Sequence, residues 1–172
     1  MWTMIILGLG GNIGDRQAQL ETAVKKLTGV VRNICCSRVL ESPALMPEGA
    51  PKEWDSPFLN MAVRGETNLS PPALLTAVKT IERELGRVPG GRWCPRAIDI
   101  DILAMDGIVF ESPELTIPHR ELLNRSFALL PLADVAPDWR WPQAGEYFQK
   151  TAAEIAKIKG CKLPDTGIKI HG

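Results

Sequence analysis

Residues 98–102 alternate strictly between apolar and acidic side chains, as Ile98-Asp99-Ile100-Asp101-Ile102. Successive side chains of a β-strand point to opposite faces, so the pattern predicts a strand with its isoleucines in a core and two carboxylates on the other face. Such carboxylates lie about 6.5 Å apart along the strand. A strand of this kind must join a sheet, and the neighbouring segments indicate which one.

Three earlier segments are predicted as strands, at 3–9, 33–40 and 58–63. The first is rich in Ile and Leu and runs into glycines, and the second is the weakest candidate. In the third, alternate apolar residues would face a core, whereas Phe58 and Asn60 would place a ring and an amide on the opposite face.

Two helices are predicted between these strands. Residues 15–28 carry apolar side chains at helical spacing, and Gly29 would end that helix. Ser70 would cap a second helix with Pro71 in its first turn. Its buried stripe would consist of Leu74, Val78, Ile81 and Leu85.

The order of these elements is strand-helix-strand-strand-helix-strand. It predicts an α+β fold, a ferredoxin-like βαββαβ sandwich in which an antiparallel sheet has helices packed on one face. Residues 109–117 and 147–158 predict an extra C-terminal hairpin and helix. We expect the other face of the sheet to be available for loops and ligands.

Composition excludes several classes of protein. The 172 residues hold 20 basic and 20 acidic side chains, which argues against a nucleic-acid coat protein. No apolar run approaches the roughly 18 residues that span a bilayer, and residues 1–9 lack the basic start of a signal peptide. The four cysteines form no C-x-x-C pair, which favours free thiols in a reducing cytoplasm.

The two aspartates are the strongest chemical signal. Side by side they would repel each other, and Mg²⁺ prefers such carboxylate oxygens together with substrate phosphates. The alternative is a strand with one solvated acidic face. A nearby loop favours the metal, because its guanidinium groups suit phosphate oxygens. These are Arg83, Arg87, Arg92 and Arg96, accompanied by Trp93 and three glycines.

Two further motifs are more ambiguous. Thr116, His119 and Arg125 fall within ten residues and are predicted to contact phosphate, although a lone histidine is often structural. Residues 8–15 are glycine-rich but lack the third glycine of the dinucleotide fingerprint. We therefore interpret them as a strand-to-helix turn capped by Asn12 or Asp15.

In combination, these motifs resemble the 6-hydroxymethyl-7,8-dihydropterin pyrophosphokinase family of folate synthesis, over about 5–137. Any one motif is weak, but their order and separation are specific. They are Gly8-Leu9-Gly10-Gly11-Asn12-Ile13-Gly14-Asp15-Arg16, Phe58-Leu59-Asn60, Arg92-Trp93-Cys94-Pro95-Arg96-Ala97-Ile98-Asp99-Ile100-Asp101, Ile117-Pro118-His119 and Asn124-Arg125-Ser126-Phe127.

The resemblance implies transfer of the pyrophosphoryl group of ATP to the pterin hydroxymethyl group, with release of AMP. It implies that Asp99 and Asp101 hold two Mg²⁺ ions that arrive with ATP, and that Arg87 and Arg96 are catalytic and contact the transferred group. The implied ATP-binding residues are Glu82, Arg92, Trp93, Thr116, His119 and Arg125. The implied pterin-binding residues are Ser42, Pro43, Leu45, Phe58, Asn60, Trp93 and Phe127.

The chain departs from the family pattern at Lys79, where a glutamine is familiar, and at Cys94, where a glycine is usual. We expect one domain over 1–160, followed by a tail or interdomain linker over 161–172. Because the kinase is fused ahead of dihydropteroate synthase in some organisms, the tail suggests that this chain is the first module of such a fusion. Neither nucleic acid nor a membrane is an expected partner.

The same residues leave two other function classes open. A Mg-dependent nucleotide hydrolase would use the aspartates and arginines but would not need the pair Phe58 and Phe127. A non-enzymatic ferredoxin-like binding module, such as an RNA-binding sheet, predicts exposed aromatic residues and a basic face. The 6% aromatic content and balanced charge argue against an RNA-binding sheet.

Overall fold

One antiparallel sheet organises the chain, whose computed structural model describes residues 1–44, 46–86 and 97–172. The elements are β1 (Thr3–Gly11), α1 (Arg16–Leu27), β2 (Arg32–Cys36), β3 (Leu40–Ser42), β4 (Phe58–Thr67), α2 (Pro71–Glu84), β5 (Asp99–Met105), β6 (Phe110–Glu111), β7 (Thr116–Ile117), α3 (Ser126–Val135) and α4 (Ala152–Ile158).

The sheet has the strand order β2-β4-β1-β5. The short strand β3 also pairs with β4, along residues 58–60, whereas β2 pairs with residues 63–66. The predicted ferredoxin-like sandwich is confirmed. In place of the weakest predicted strand, 33–40, there are two short strands, β2 and β3, separated by residues 37–39, which have no register partner on β4. Ser37 stays hydrogen-bonded to Ala62 of β4 through its amide (2.9 Å) and its hydroxyl (2.8 Å). The predicted hairpin is present as β6 and β7.

The first face of the sheet carries the core predicted from the alternating residues. Ile5, Leu59 and Ile100 pack there against α1 and α2. Local chemistry sets the starts of both helices: the Asp15 carboxylate accepts a hydrogen bond from the Ala18 amide (3.0 Å), and Ser70 similarly caps α2.

The second face carries a helical layer made of α4, the predicted C-terminal helix, and α3, which the sequence analysis did not predict. These helices cover one end of the face, where Leu129 and Leu132 of α3 pack on Ile6 and Leu103. Towards the other end the middle strand presents Gly8 and Gly10, which carry no side chains. This end of the face is therefore open.

Residues 161–172 lie along the edge of the sheet rather than away from it. Asp165 forms an antiparallel bridge with Leu40, and Ile170 is buried in the first core. Within the described residues, no helix combines the length and apolarity needed to cross a bilayer.

Candidate active site

The open end of the second face holds a cavity of about 310 Å³ whose floor is Gly8 and Gly10. In register, Gly10 lies between Asn60 of β4 and Asp99 of β5, and Gly8 lies between Ala62 and Asp101. Strands β4 and β5, which flank β1, are about 10 Å apart, because neighbouring strands are separated by about 4.8 Å. A trough two strand spacings wide thus separates the acidic side from the amide side.

The acidic side of the cavity is formed by the two aspartates of β5. Both line the cavity and are partly buried. Burial, followed by the negative charge of Asp99, raises the pKa of Asp101 to about 7. A cation placed between these carboxylates would offset the repulsion between them, which is the second cause of this raised pKa after burial.

Basic groups from two helical elements face this pair. Lys79 of α2 lines the cavity, with its Nζ 3.0 Å from Oε1 of the buried Glu82. Arg125 lines it from the start of α3. The charges of Lys79 and Arg125 both act to lower the pKa of Asp101, against the effect of burial. The positive charges of Lys79 and Arg125 therefore partly offset the negative charge of Asp101 on the acidic side of the cavity.

His119 lines the cavity as a neutral hydrogen-bond donor. Burial and then the nearby Arg125 charge lower the pKa of His119. Its Nδ1 accepts a hydrogen bond from the Glu121 amide (3.1 Å), so the neutral ring carries its proton on Nε2. The amide of His119 donates to the Leu103 carbonyl (2.9 Å), which fixes the residue to β5.

The opposite side of the cavity combines rings with an amide. Phe58 and Asn60 share this face of β4, as predicted, and Phe127 approaches from α3. Asn60 is 4% exposed, and its Nδ2 donates to Ser42 Oγ at 2.7 Å. The Arg125 guanidinium lies 5.7 Å from the centre of the Phe127 ring, which links the two sides.

A hydrogen-bonded brace holds the segment that precedes Phe58. The Arg16 guanidinium donates to the Pro57 carbonyl (2.9 Å) and to Glu41 (3.2 Å). The side-chain amide of Asn12 donates to the Ser56 carbonyl (3.0 Å). Asn12 therefore ties the strand-to-helix turn to the cavity wall, while Asp15 is the helix cap.

Nine of the residues implied by the resemblance line this one cavity. The predicted metal and nucleotide residues among them are Asp99, Asp101, His119 and Arg125. The predicted pterin residues among them are Ser42, Pro43, Phe58, Asn60 and Phe127.

Two predicted ATP residues, Glu82 and Thr116, do not line this cavity. Glu82 is 1% exposed and accepts a hydrogen bond from the Ile100 amide (2.8 Å), behind the carboxylate strand. Thr116 accepts one from Arg120 at 3.4 Å. The remaining predicted residues lie outside the described residues, namely Leu45, Arg87, Arg92, Trp93 and Arg96.

Sequence reasoning missed three contributors to the site. Lys79 departs from the family pattern but lines the cavity, and its spacing of three residues from Glu82 on a helix was the available signal. Gly8 and Gly10 form the floor, which their alternation along β1 could have indicated.

The donor set fits Mg²⁺ that is shared with a substrate. Among the described residues, no group of three or more His, Cys, Asp or Glu side chains could hold a metal ion. Mg²⁺ commonly binds through one or two carboxylates and completes its coordination with phosphate oxygens and water. Asp99 and Asp101 supply such a pair at the cavity surface.

Comparison with known proteins gives a consistent result. Residues 6–137 match the family described as 7,8-dihydro-6-hydroxymethylpterin-pyrophosphokinase. A Methylorubrum extorquens protein named 2-amino-4-hydroxy-6-hydroxymethyldihydropteridine pyrophosphokinase is 43% identical over 139 residues, covering 79% of this chain and 84% of that protein. A folate synthesis bifunctional protein of Chlamydia trachomatis is 40% identical over 161 residues, covering 91% of this chain.

The chain spans only 36% of the length of the chlamydial relative. Among solved structures, wild-type HPPK-DHPS of Plasmodium falciparum superposes with a TM-score of 0.67 at 18% identity. That match covers 92% of this chain and 44% of the Plasmodium chain. At this identity the likeness supports the fold alone.

Proposed function

The chain belongs to the 7,8-dihydro-6-hydroxymethylpterin-pyrophosphokinase family, and on that basis we propose that it is an ATP-dependent diphosphotransferase acting on 6-hydroxymethyl-7,8-dihydropterin. The pterin hydroxymethyl oxygen bonds to the β-phosphorus of ATP. The bond from that phosphorus to the oxygen bridging the α-phosphorus breaks, so AMP leaves and the hydroxyl proton passes to solvent. The product is the pterin diphosphate used in folate synthesis.

One observation carries the proposal: a single cavity joins the carboxylate pair to the ring-and-amide wall. The transfer requires a triphosphate and a flat heterocycle to meet in one place. An acidic cleft without the wall would suit a nucleotide hydrolase equally well. Nucleotide hydrolysis does not require Phe58, Asn60 and Phe127, whereas these residues fit a stacked, edge-bonded pterin.

The residues of the chain divide the work. On the wall, Phe58 and Phe127 would sandwich the pterin, and Asn60, held by Ser42, would hydrogen-bond its edge. On the opposite side, the Nε2–H of His119 and the guanidinium of Arg125 would donate to phosphate oxygens and stabilise developing charge.

Asp99 and Asp101 would hold Mg²⁺ that enters with ATP, and we propose two ions as in the resemblance. Bound Mg²⁺ would neutralise the triphosphate and polarise the transferred group. Arg87 and Arg96 are proposed to contact the transferred group, and Arg92 and Trp93 to bind nucleotide. Leu45 and Pro43 are proposed to complete the pterin pocket.

The test incubates the protein with ATP, Mg²⁺ and 6-hydroxymethyl-7,8-dihydropterin and identifies the nucleotide released. AMP that forms only with the pterin is the expected result. ADP, or nucleotide released without the pterin, would favour a hydrolase and contradict the proposal.

A matched pair of variants tests the carboxylate role. Asp101→Asn should lower AMP formation by at least about 100-fold while preserving the fold, because it removes one of two adjacent like charges. Asp106→Asn changes an exposed aspartate just beyond β5 and should keep full activity. Wild-type turnover of Asp101→Asn would refute this assignment.

We also propose that residues 1–160 form the kinase domain and that 161–172 lead towards a dihydropteroate synthase domain. The bifunctional chlamydial relative and its greater length support this arrangement. The mass of the protein in its source cells tests it, since a species near 18.9 kDa with no longer form would refute a fusion. We propose a cytoplasmic location, in keeping with ATP use and the free thiols Cys35, Cys36 and Cys161.

A further inference from the structure

The C-terminal strap, which we define as residues 164–170, forms an added edge on the sheet. The Glu41 amide donates to the Pro164 carbonyl (3.0 Å) and the Thr166 amide to the Val39 carbonyl (3.1 Å). Thr166 Oγ1 donates to the same carbonyl at 2.8 Å. Backbone pairing of this kind makes the strap part of the sheet rather than a loose tail.

Burial along the strap follows the period of a strand. Thr166, Ile168 and Ile170 are partly or fully buried, whereas Gly167 and Lys169 between them are exposed. Ile170 is 5% exposed in the core beneath α1 and α2. The strap is therefore held by apolar burial at one end and by hydrogen bonds to β3 at the other.

The strand that the strap pairs with leads directly into the cavity wall. Leu40 lies opposite Asn60, and Ser42 lies opposite Phe58. Ser42 Oγ accepts the 2.7 Å hydrogen bond that orients the Asn60 amide. A shift of β3 would therefore move both the wall and the acceptor that fixes its amide.

A second connection runs from the strap to α3. The Arg38 guanidinium lies 3.7 Å from Asp165 Oδ2 and donates to Asp134 of α3 at 3.1 Å. The Arg38 amide donates to the same Asp134 carboxylate at 2.7 Å. Because α3 also carries Phe127, the strap is linked to both sides of the proposed pterin pocket.

We propose that the C-terminal strap is a positioning segment for the pterin site, with Thr166 as its key residue. The inference rests on the proposed function, and it concerns the pterin half of the cavity rather than the nucleotide half. The strap contacts β3, whereas Asp99 and Asp101 lie on β5 at the far edge of the sheet. Loosening the strap should therefore weaken pterin binding more than ATP binding.

Two substitutions in the full chain, one milder than the other, test how far loosening the strap weakens pterin binding. Thr166→Val keeps the shape and removes both side-chain hydrogen bonds, the one donated to Val39 and the one accepted from the Ile168 amide, and Thr166→Pro also removes the amide donor. Each hydrogen bond corresponds to about a threefold to tenfold change in affinity. We expect the KM for pterin to rise by at least that factor in Thr166→Val and further in Thr166→Pro, with a smaller change in the KM for ATP.

Thr67 supplies a matched control. Its Oγ1 donates to the Val30 carbonyl (2.9 Å) and accepts from the Leu69 amide (3.2 Å). Thr166 Oγ1 likewise donates to Val39 and accepts from the Ile168 amide (3.1 Å). Thr67 lies at the end of β4 away from the cavity, so Thr67→Val should lower stability without changing either KM.

Direct titration with the pterin and amide hydrogen exchange complete the test. A selective loss of pterin affinity in the Thr166 variants, with faster exchange at the Glu41 amide, is the expected result. Pterin affinity equal to that of Thr67→Val, or an equal loss for ATP, would overturn the proposal. If the unmodified chain formed no AMP, that result would count against the proposed function. Hydrogen exchange and pterin titration would still test whether the strap positions the pterin site.

Discussion

Gly10 gives the sharpest test of the cavity geometry, because a methyl group added there has a defined position. A Cβ on Gly10 would lie 3.2 Å from Asn60 Oδ1, 3.5 Å from the Leu59 carbonyl and 3.9 Å from Phe58 Cδ1. It would stand where a ring bonded to Asn60 and stacked on Phe58 must lie. Gly10→Ala should therefore exclude the pterin rather than unfold the chain.

The expected magnitudes separate binding from stability. Alanine in a strand gains about 0.5–1 kcal/mol over glycine in backbone entropy, which offsets the tight approach to the movable Asn60 amide. The free energy of unfolding should then change by less than about 1 kcal/mol. Loss of one hydrogen bond and one ring contact would cost about 1–3 kcal/mol of pterin binding. This corresponds to a rise in the KM for pterin of roughly fivefold to 150-fold.

The assay measures both KM values and a urea unfolding curve for Gly10→Ala and for Gly65→Ala. An added Cβ on Gly65 would overlap the Val31 side chain and approach the Arg32 carbonyl at 2.9 Å, far from the cavity. That control should lose stability without a selective loss for pterin. An unchanged KM for pterin in Gly10→Ala, or equal increases for pterin and ATP, would refute the geometry.

Three smaller predictions concern titration and charge. Because burial lowers the pKa of His119, the contribution of this residue to folding stability should rise as pH increases towards 6.5, opposite in sign to that of Asp101. Denaturant titrations should show the His119 contribution as a pH-dependent difference in the free energy of unfolding between the unmodified chain and His119→Asn. Burial, then Cys35, raises the pKa of Cys36 to about 11, so iodoacetamide at pH 8 should label the exposed Cys35 before Cys36, as mass spectrometry would show. Lys79→Met should destabilise the fold in urea, because it removes the cation beside buried Glu82, and Lys79→Arg should restore most of the loss.

The local parts of the fold could be predicted from local patterns. Alternation along β5 set which side Asp99 and Asp101 would face, and Phe58 with Asn60 was assigned to the correct face of β4. Ser70 was correctly predicted as a cap, because its hydrogen bond joins residues close in sequence. Periodicity and capping depend on neighbours within a few residues, which the sequence lists directly.

Contacts between distant segments could not be predicted in this way. Helix α3 is apolar on most sides and contains Pro131, so its periodicity does not indicate a buried face. The strap pairs Thr166 with Val39, which lies 127 residues earlier. The burial of Glu82 and its hydrogen bond from the Ile100 amide depend on how α2 lies against β5. Each of these depends on tertiary packing rather than local preference.

The glycines of the middle strand explain how one sheet can hold two chemically different sites. Side chains at positions 8 and 10 would fill the space between the carboxylates of β5 and the amide of β4, leaving two shallow sites. Because glycine has no side chain, the floor of the cavity is backbone, and the carboxylate strand and the amide strand are about 10 Å apart across it. That span lets a bound heterocycle direct its hydroxymethyl group at a phosphate held from the opposite side, so alignment of the reacting atoms follows from strand spacing.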